Sequence, residues 1–275
     1  MNANMNDVFI TSENLIKKNN LSIFFANIFN TLKNYKFIDW LALFLFSMYS
    51  ATMIIIIRNI IVDLQSKGFL GGWSDIDRFT YQSNVLIWAY MLFFIFIKKH
   101  VFLKQNKWLL SNMVYIFFTF VGYNFILVPF GNGSYNLSNV YDLVTNIWYH
   151  ILCPVTYIIF GYLYFFFNKF QFPKSYWKTL PKFFIYPTIY VVYISTISFV
   201  INPEYNGGKT YTVYGDFTNL KDHLKASLPV ILGMWLLFFP ISYAIFYYSW
   251  KGISKYSFKD LKNNFKKFSK AKNIQ

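Results

Sequence analysis

The sequence predicts an all-α, polytopic integral membrane protein, with six transmembrane helices in one bundle and both termini in the cytoplasm. Three observations carry that expectation. Charged residues make up 13% of the chain and hydrophobic residues 56%, whereas a soluble domain carries roughly a quarter charged residues. Six stretches are apolar and long enough to cross a hydrocarbon core about 30 Å thick. The basic residues crowd into alternate connections between those stretches.

Residues 1–36 form a cytoplasmic segment in which Leu21, Phe24, Ile28 and Leu32 recur at helical spacing. An apolar stripe beside lysines suits a helix lying in the headgroup region. The segment is too polar and too long for the n-region of a signal peptide, so the first span, Phe37 to Ile57, is expected to remain as a membrane helix. The connection from Val62 to Arg78 carries Gly68, Gly71 and Gly72. Ser74 or Asp75 is then placed to cap the next helix, where a side-chain oxygen satisfies free backbone N–H groups. The second span, Thr80 to Ile97, opens on the unusually polar run Phe79-Thr80-Tyr81-Gln82-Ser83-Asn84. Thr80, Ser83 and Asn84 fall on one face of it, which Trp88 continues.

The third span, Trp108 to Phe130, ends in a turn at Gly131 to Tyr135. The fourth, Leu143 to Phe167, puts Asp142, Asn146, Tyr149, His150 and Cys153 on one face. The fifth, Phe183 to Val200, carries a stripe of Tyr186, Tyr190 and Tyr193 that reads as packing. The longest outer connection, Asn202 to Ala226, holds Asn206-Gly207-Gly208 and Tyr214-Gly215-Asp216-Phe217. The sixth span, Leu228 to Trp250, completes a bundle over residues 37–250. Residues 251–275 are a basic cytoplasmic tail with Ile253, Tyr256, Leu261, Phe265 and Phe268 at helical spacing.

The formal net charge of +15 invites a nucleic-acid reading, which the distribution of charge removes. Twenty of the 26 basic residues lie before span one, between spans two and three, between spans four and five, or after span six. That is the positive-inside pattern, with attraction to anionic lipid as a secondary effect. The partner is therefore the lipid bilayer and not nucleic acid. Lysine accounts for 24 of the 26, a bias that fits an AT-rich bacterial genome and a bacterial cell membrane. Cys153 is the only cysteine, which excludes an intrachain disulfide and a cysteine metal cage. No pair of histidines or carboxylates has metal-ligand spacing, so neither metal nor cofactor is expected. His100 and His223 fall in connections and read as solvated.

His150 is the one histidine in the apolar body, and an ionisable group inside a bilayer is by default a functional candidate. Helices two and four both begin on the outer side. With starts near Asp75 and Asp142, Thr80 lies about 7 Å and His150 about 12 Å along them. At that depth the two side chains are expected to meet in the outer half of the membrane. A hydroxyl and an imidazole in contact are the minimum for nucleophilic acyl transfer, the base taking the proton as the hydroxyl attacks. Asn84, Asn146 and Ser83 are candidate donors to a developing oxyanion, and Asp142 or Asp216 is placed to orient the imidazole. The same polar face also serves as interhelical glue at about 0.6 kcal/mol per contact, the reading that spacing favours for Ser83. Cys153 reads as a packing residue.

The block Phe79-Thr80-Tyr81-Gln82-Ser83-Asn84 resembles the FT-x-QSN opening of a membrane helix in bacterial six-helix relatives of the androgen-induced membrane hydrolases. His150 with Pro154 resembles that group's H-x-x-x-P helix. Tyr186-Pro187 with Tyr190 and Tyr193, then Tyr214 to Asp216, resemble its later tyrosine-rich helix and outer-loop aspartate. The resemblance covers roughly Ile76 to Asp216. In the eukaryotic members the activity is hydrolysis of fatty acid esters of hydroxy fatty acids, through a threonine and a histidine on separate membrane helices. Carried over, it implies Thr80 as nucleophile and His150 as base. Three functions stand at this point: a hydrolase of lipid-like esters, a membrane component that binds or transports a small molecule, and a structural or assembly protein.

Overall fold

The computed structural model describes residues 33–96, 107–131, 133–167 and 175–253. Both tail helices expected from the sequence, His100 and much of the two lysine-rich inner connections lie outside those residues. Among the described residues the ordered elements are all helical. In chain order they are α1 (Phe37–Lys67), α2 (Phe69–Ile76), α3 (Phe79–Phe96), α4 (Lys107–Leu127), α5 (Val140–Phe167), α6 (Tyr176–Val200) and α7 (Leu224–Ile253). All but α2 are long and apolar enough to cross a membrane, giving six candidate spans.

α1 begins where Asp39 Oδ2 accepts the Lys36 N–H at 3.0 Å. Its 31 residues amount to about 46 Å at 1.5 Å per residue. The helix therefore outruns both the bilayer core and the expected end at Ile57. Its last three turns hold Arg58, Asn59 and Asp63, and the helix closes on the Lys67–Asp63 ion pair at 2.8 Å. Gly68 then takes φ 72°, and α2 folds back along α1. Contact is close enough that a Cβ on Gly71 would sit 2.6 Å from the Asp63 carbonyl oxygen and 2.5 Å from Lys67 Cβ. Backbone cannot yield as a flexible side chain does. Gly71→Ala is expected to destabilise the protein by about 1–3 kcal/mol, read as a lowered unfolding midpoint in detergent.

α3 starts at Phe79 rather than at the expected cap. Asp75 and Ile76 still belong to α2, and the Ser74 hydroxyl is spent on the Gly71 carbonyl at 2.7 Å. The first N–H of α3, on Phe79, is capped from outside the helix by the hydroxyls of Tyr190 at 3.1 Å and Tyr214 at 2.9 Å. The Phe79 ring packs edge-on against Tyr190 and Phe118, with centroids 4.9 and 5.0 Å away. Tyrosines expected only to pack thus hold the α2–α3 junction. Tyr186 donates to Gln82 Oε1 at 2.7 Å, and Tyr193 and Tyr211 both donate to Asp77 Oδ2, at 3.0 and 2.8 Å.

α4 is the inner helix of the bundle. Leu109, Leu110, Met113, Val114 and Ile116 have no exposed surface, as suits a helix apolar all round and enclosed by others. By contrast Phe44, Ile54, Ile189, Val192, Ile241 and Ile245 are exposed on the remaining spans, the surface a bilayer covers. Two prolines free carbonyls that other helices then satisfy. Pro187 cannot donate to the Phe183 carbonyl four residues back, and that oxygen accepts the Tyr115 hydroxyl at 2.7 Å. Pro154 frees the His150 carbonyl in the same way, and Asn124 Nδ2 donates to it at 3.1 Å. The turn just before Pro154, Trp148–Leu152, widens to a π-helix, as do Gly122–Leu127 in α4 and Gly233–Phe238 in α7.

Candidate functional site

The three π-helical turns border two adjoining cavities, and wide turns of this kind are frequent at functional sites. One cavity, of about 410 Å³, is polar. Its wall holds Arg78, just before α3, Thr80 and Tyr81 from the start of α3, Asp142, Asn146, Tyr149 and His150 from α5, Asn59 from α1, Tyr123 from α4, and Ser134 and Tyr214 from connections. The other, of about 620 Å³, is almost wholly apolar and lies among α4, α6 and α7, with Phe117, Phe118, Ile126, Ile194, Met234, Leu237 and Phe238 in its wall. Thr80, Tyr123, Leu127 and Tyr214 border both. Each volume falls in the range of small-molecule sites, about 300–1,000 Å³.

Thr80 and His150 both border the polar cavity, although α3 begins four residues later than expected. His150 is buried, and its ring lies flat on that of Tyr123, centroids 3.4 Å apart and planes 6° from parallel. Tyr123 is fixed in turn, donating to the Ser134 carbonyl at 2.8 Å. Asn124 links the His150 carbonyl to Tyr135, whose hydroxyl it accepts. Nδ1 of His150 has no hydrogen-bond partner among the described residues, and the imidazole's hydrogen bond goes to the backbone of Thr119 rather than to Asp142 or Asp216.

The other expected site residues separate. Asn146 and Asp142 line the polar cavity. Asp142 sits in the first turn of α5, its N–H accepted by Asn139 Oδ1 at 3.3 Å. Ser83 bonds Thr119 across the α3–α4 contact at 2.6 Å, the glue role that spacing favoured. Asn84 donates to the Thr80 carbonyl at 2.8 Å, beneath the cavity wall. Asp216 borders neither cavity. The turn Gly215–Phe217, entered at Gly215 with φ 55°, gives Tyr214 and Gly215 to the polar cavity and sends the Asp216 carboxylate to exposed His223, 3.4 Å away. Cys153 is fully buried against Thr52, Sγ to Oγ1 3.4 Å, in the packing role expected of it.

Arg78 and Tyr123 were not singled out from the sequence. In the sequence Arg78 reads only as a basic residue of an outer connection. It lies 3.3 Å from Asp75, whose side chain is buried. The Arg78 side chain keeps 45% of its surface exposed. The desolvation it does undergo lowers its affinity for the proton, but Asp75, with Tyr81, Tyr214 and Asp77, outweighs it and holds the pKa above its ordinary value. Burial raises the carboxyl of Asp75, against the pull of Arg78, and that of Asp77, against hydrogen bonds from Tyr211 and Tyr193.

A raised carboxyl favours the folded state when protonated. The contribution of Asp77 is full below pH 3.8, the ordinary value, and is lost as pH rises through the raised one. Thermal unfolding across pH 4 to 8 is expected to show that loss in the wild type. Asp77→Asn, which keeps an acceptor for both tyrosines, should flatten the curve.

The chain is similar to several mycoplasma proteins. A family described as "Protein of unknown function (DUF1600)" matches residues 143–256, a stretch that contains His150 and Tyr214 but not Thr80. "Uncharacterized protein MG452" of Mycoplasma genitalium is 34% identical over 235 residues, covering 85% of this chain and 87% of that protein. "Uncharacterized protein MG452 homolog" of Mycoplasma pneumoniae is 33% identical over 203 residues, covering 73% of this chain and 80% of the relative. "Uncharacterized protein MG133" of Mycoplasma genitalium is 27% identical over 228 residues, covering 72% and 86%. No solved structure matches the chain.

Proposed function

The chain belongs to the family of the MG452 proteins, and we propose that it is a cell-membrane hydrolase of lipid-like esters, with Thr80 as nucleophile and His150 as general base. One observation carries the reading. Thr80 borders an apolar cavity on one side and, on the other, a polar cavity that also holds His150. An amphipathic ester with its acyl chain in the first and its head in the second has its carbonyl at Thr80. The resemblance of the Phe79 to Asn84 and His150 to Pro154 motifs to threonine–histidine membrane hydrolases supports the same assignment. With the termini cytoplasmic, the site faces the outer leaflet.

The chemistry balances with water as co-reactant. Thr80 Oγ1 attacks the ester carbonyl as its proton passes to the imidazole of His150, and a tetrahedral oxyanion forms. Collapse breaks the bond to the alcohol, which leaves with the proton from the imidazolium, and the acyl group stays on Thr80. A water molecule, deprotonated by the same imidazole, attacks that acyl ester. The fatty acid leaves and Thr80 Oγ1 regains its proton. A hydroxyl of this kind is unreactive without such a base. Asn146, in the wall of the polar cavity, is a donor for the oxyanion.

A second reading, binding or carriage of the same amphiphile without cleavage, is favoured by one specific feature. No hydrogen bond joins Thr80 to His150, and Nδ1 of the imidazole is without a partner among the described residues. Catalytic hydrogen bonds often tighten only once substrate is bound, so turnover must decide. The protein, purified in detergent, is expected to hydrolyse chromogenic esters of long acyl chains faster than those of short ones. Saturable binding of the same esters with no product released would transfer the assignment to the second reading.

A further inference from the structure

We propose that the polar cavity is a site for an anionic head group, phosphate or carboxylate, held by Arg78. The inference rests on the reading that one amphiphile fills both cavities, but not on its being cleaved. Arg78 is two residues from Thr80 and lines the polar cavity together with Tyr214, which borders both. Its group is therefore at the level where head and chain of the amphiphile would join.

The guanidinium is held but not used up. Its one ion pair among the described residues is to Asp75, through Nη1 at 3.3 Å. Asp75 is fixed, with 4% of its side-chain surface exposed, while Arg78 keeps 45% of its own. A guanidinium has five N–H donors in a planar fork. A single contact to one edge leaves the rest for the two-pronged grip that carboxylate and phosphate accept. Arg78 also immediately precedes α3, whose positive dipole end adds to the preference for an anion.

The acidic groups around it fit this assignment. Asp75 and Asp77 are committed to Arg78 and to the hydroxyls of Tyr193 and Tyr211. Asp142 lines the same cavity, and the ion pair of Arg78 among the described residues is to Asp75. The place of Asp142 in the first turn of α5 accounts for it, since a carboxylate there complements the helix dipole. Lysine supplies every other basic residue of the chain except Arg58, and Arg58 is engaged over the ring of Tyr141, 4.5 Å away.

The test uses amphiphiles of one chain length and no ester bond, so that binding is measured apart from hydrolysis. Dodecyl phosphate, dodecanoate, dodecanol and dodecyltrimethylammonium would be titrated into the full chain in a neutral detergent. At least one anionic compound is expected to bind about tenfold or more tighter than dodecanol, equivalent to about 1.4 kcal/mol. Preference for phosphate identifies a phospholipid head, and preference for carboxylate a free fatty acid. Arg78→Gln should abolish the preference, lowering the affinity for the anionic compound by about tenfold or more toward that of dodecanol, which a merely structural arginine would not do. Asp75→Asn, which keeps the guanidinium and removes its counter-charge, should preserve or increase it. Equal binding of anion and alcohol, tighter binding of the cation, or a preference that survives Arg78→Gln would overturn the inference. Failure of all four compounds to bind would overturn it together with the two-cavity reading. Anion-selective binding in a protein without ester turnover would leave it standing and remove only the hydrolase.

Discussion

Thr80→Ala and His150→Ala are each expected to reduce kcat/KM for a long-chain ester by about 10²–10⁴-fold, the usual contribution of a positioned acid–base group. The two losses should not multiply. Nucleophile and base act on one proton in one step, so the double variant should be about as slow as the worse single one. Thr80→Ser, which restores the hydroxyl, should recover part of the rate. Cys153→Ala is the matched control, because that thiol is buried against Thr52 away from both cavities, and it should turn over normally. Monodisperse elution of each variant separates lost chemistry from lost folding.

The second large effect concerns which chain is accepted. Gly233 lies in the wall of the apolar cavity, and a Cβ added there meets no heavy atom within 4 Å. A large side chain at that position has space to occupy, and the space is the one assigned to the acyl chain. If Gly233→Leu excludes about four methylenes of substrate, at about 0.8 kcal/mol each, the loss is about 3 kcal/mol. That is about 100-fold or more in kcat/KM for long-chain esters. Esters of short acyl chains do not reach so far and should keep most of their rate. A uniform loss at every chain length would mean that the cavity does not hold the chain.

How much of this was legible in the sequence follows from what each feature depends on. The six spans depend on composition and periodicity, both local, and they stand where expected to within a few residues except at the end of α1 and at the start of α6, which begins at Tyr176 rather than at Phe183. At the end of α1 the apolar run stops near Val62, while the helix runs on to Lys67, where Ser66 donates to the Val62 carbonyl and Lys67 pairs with Asp63 within the helix. Thr80 and His150 share a cavity because spans two and four run in the same direction, which charge asymmetry alone reveals. The cavities themselves depend on missing volume, at Gly122 and Gly233 among others, and no one-dimensional pattern displays a space enclosed by three helices. Arg78 looked like topological charge and Tyr123 like one aromatic among many. A usable signal was present at Pro154, four residues after His150. A proline there must free the His150 carbonyl, which requires a donor on a facing helix. Asn124 is that donor, and it lies beside Tyr123. The outward-facing Asp216 was illegible because a single turn at Gly215 decides which neighbour faces the cavity.

The central claim is that Thr80 carries the acyl group between the two half-reactions. The most direct measurement is an acid quench of the purified protein during turnover of an activated long-chain ester, followed by peptide mapping by mass spectrometry. The account predicts one acyl adduct on the peptide containing Thr80, absent from Thr80→Ala. Turnover with the acyl group on another residue, or undiminished in Thr80→Ala, would contradict it.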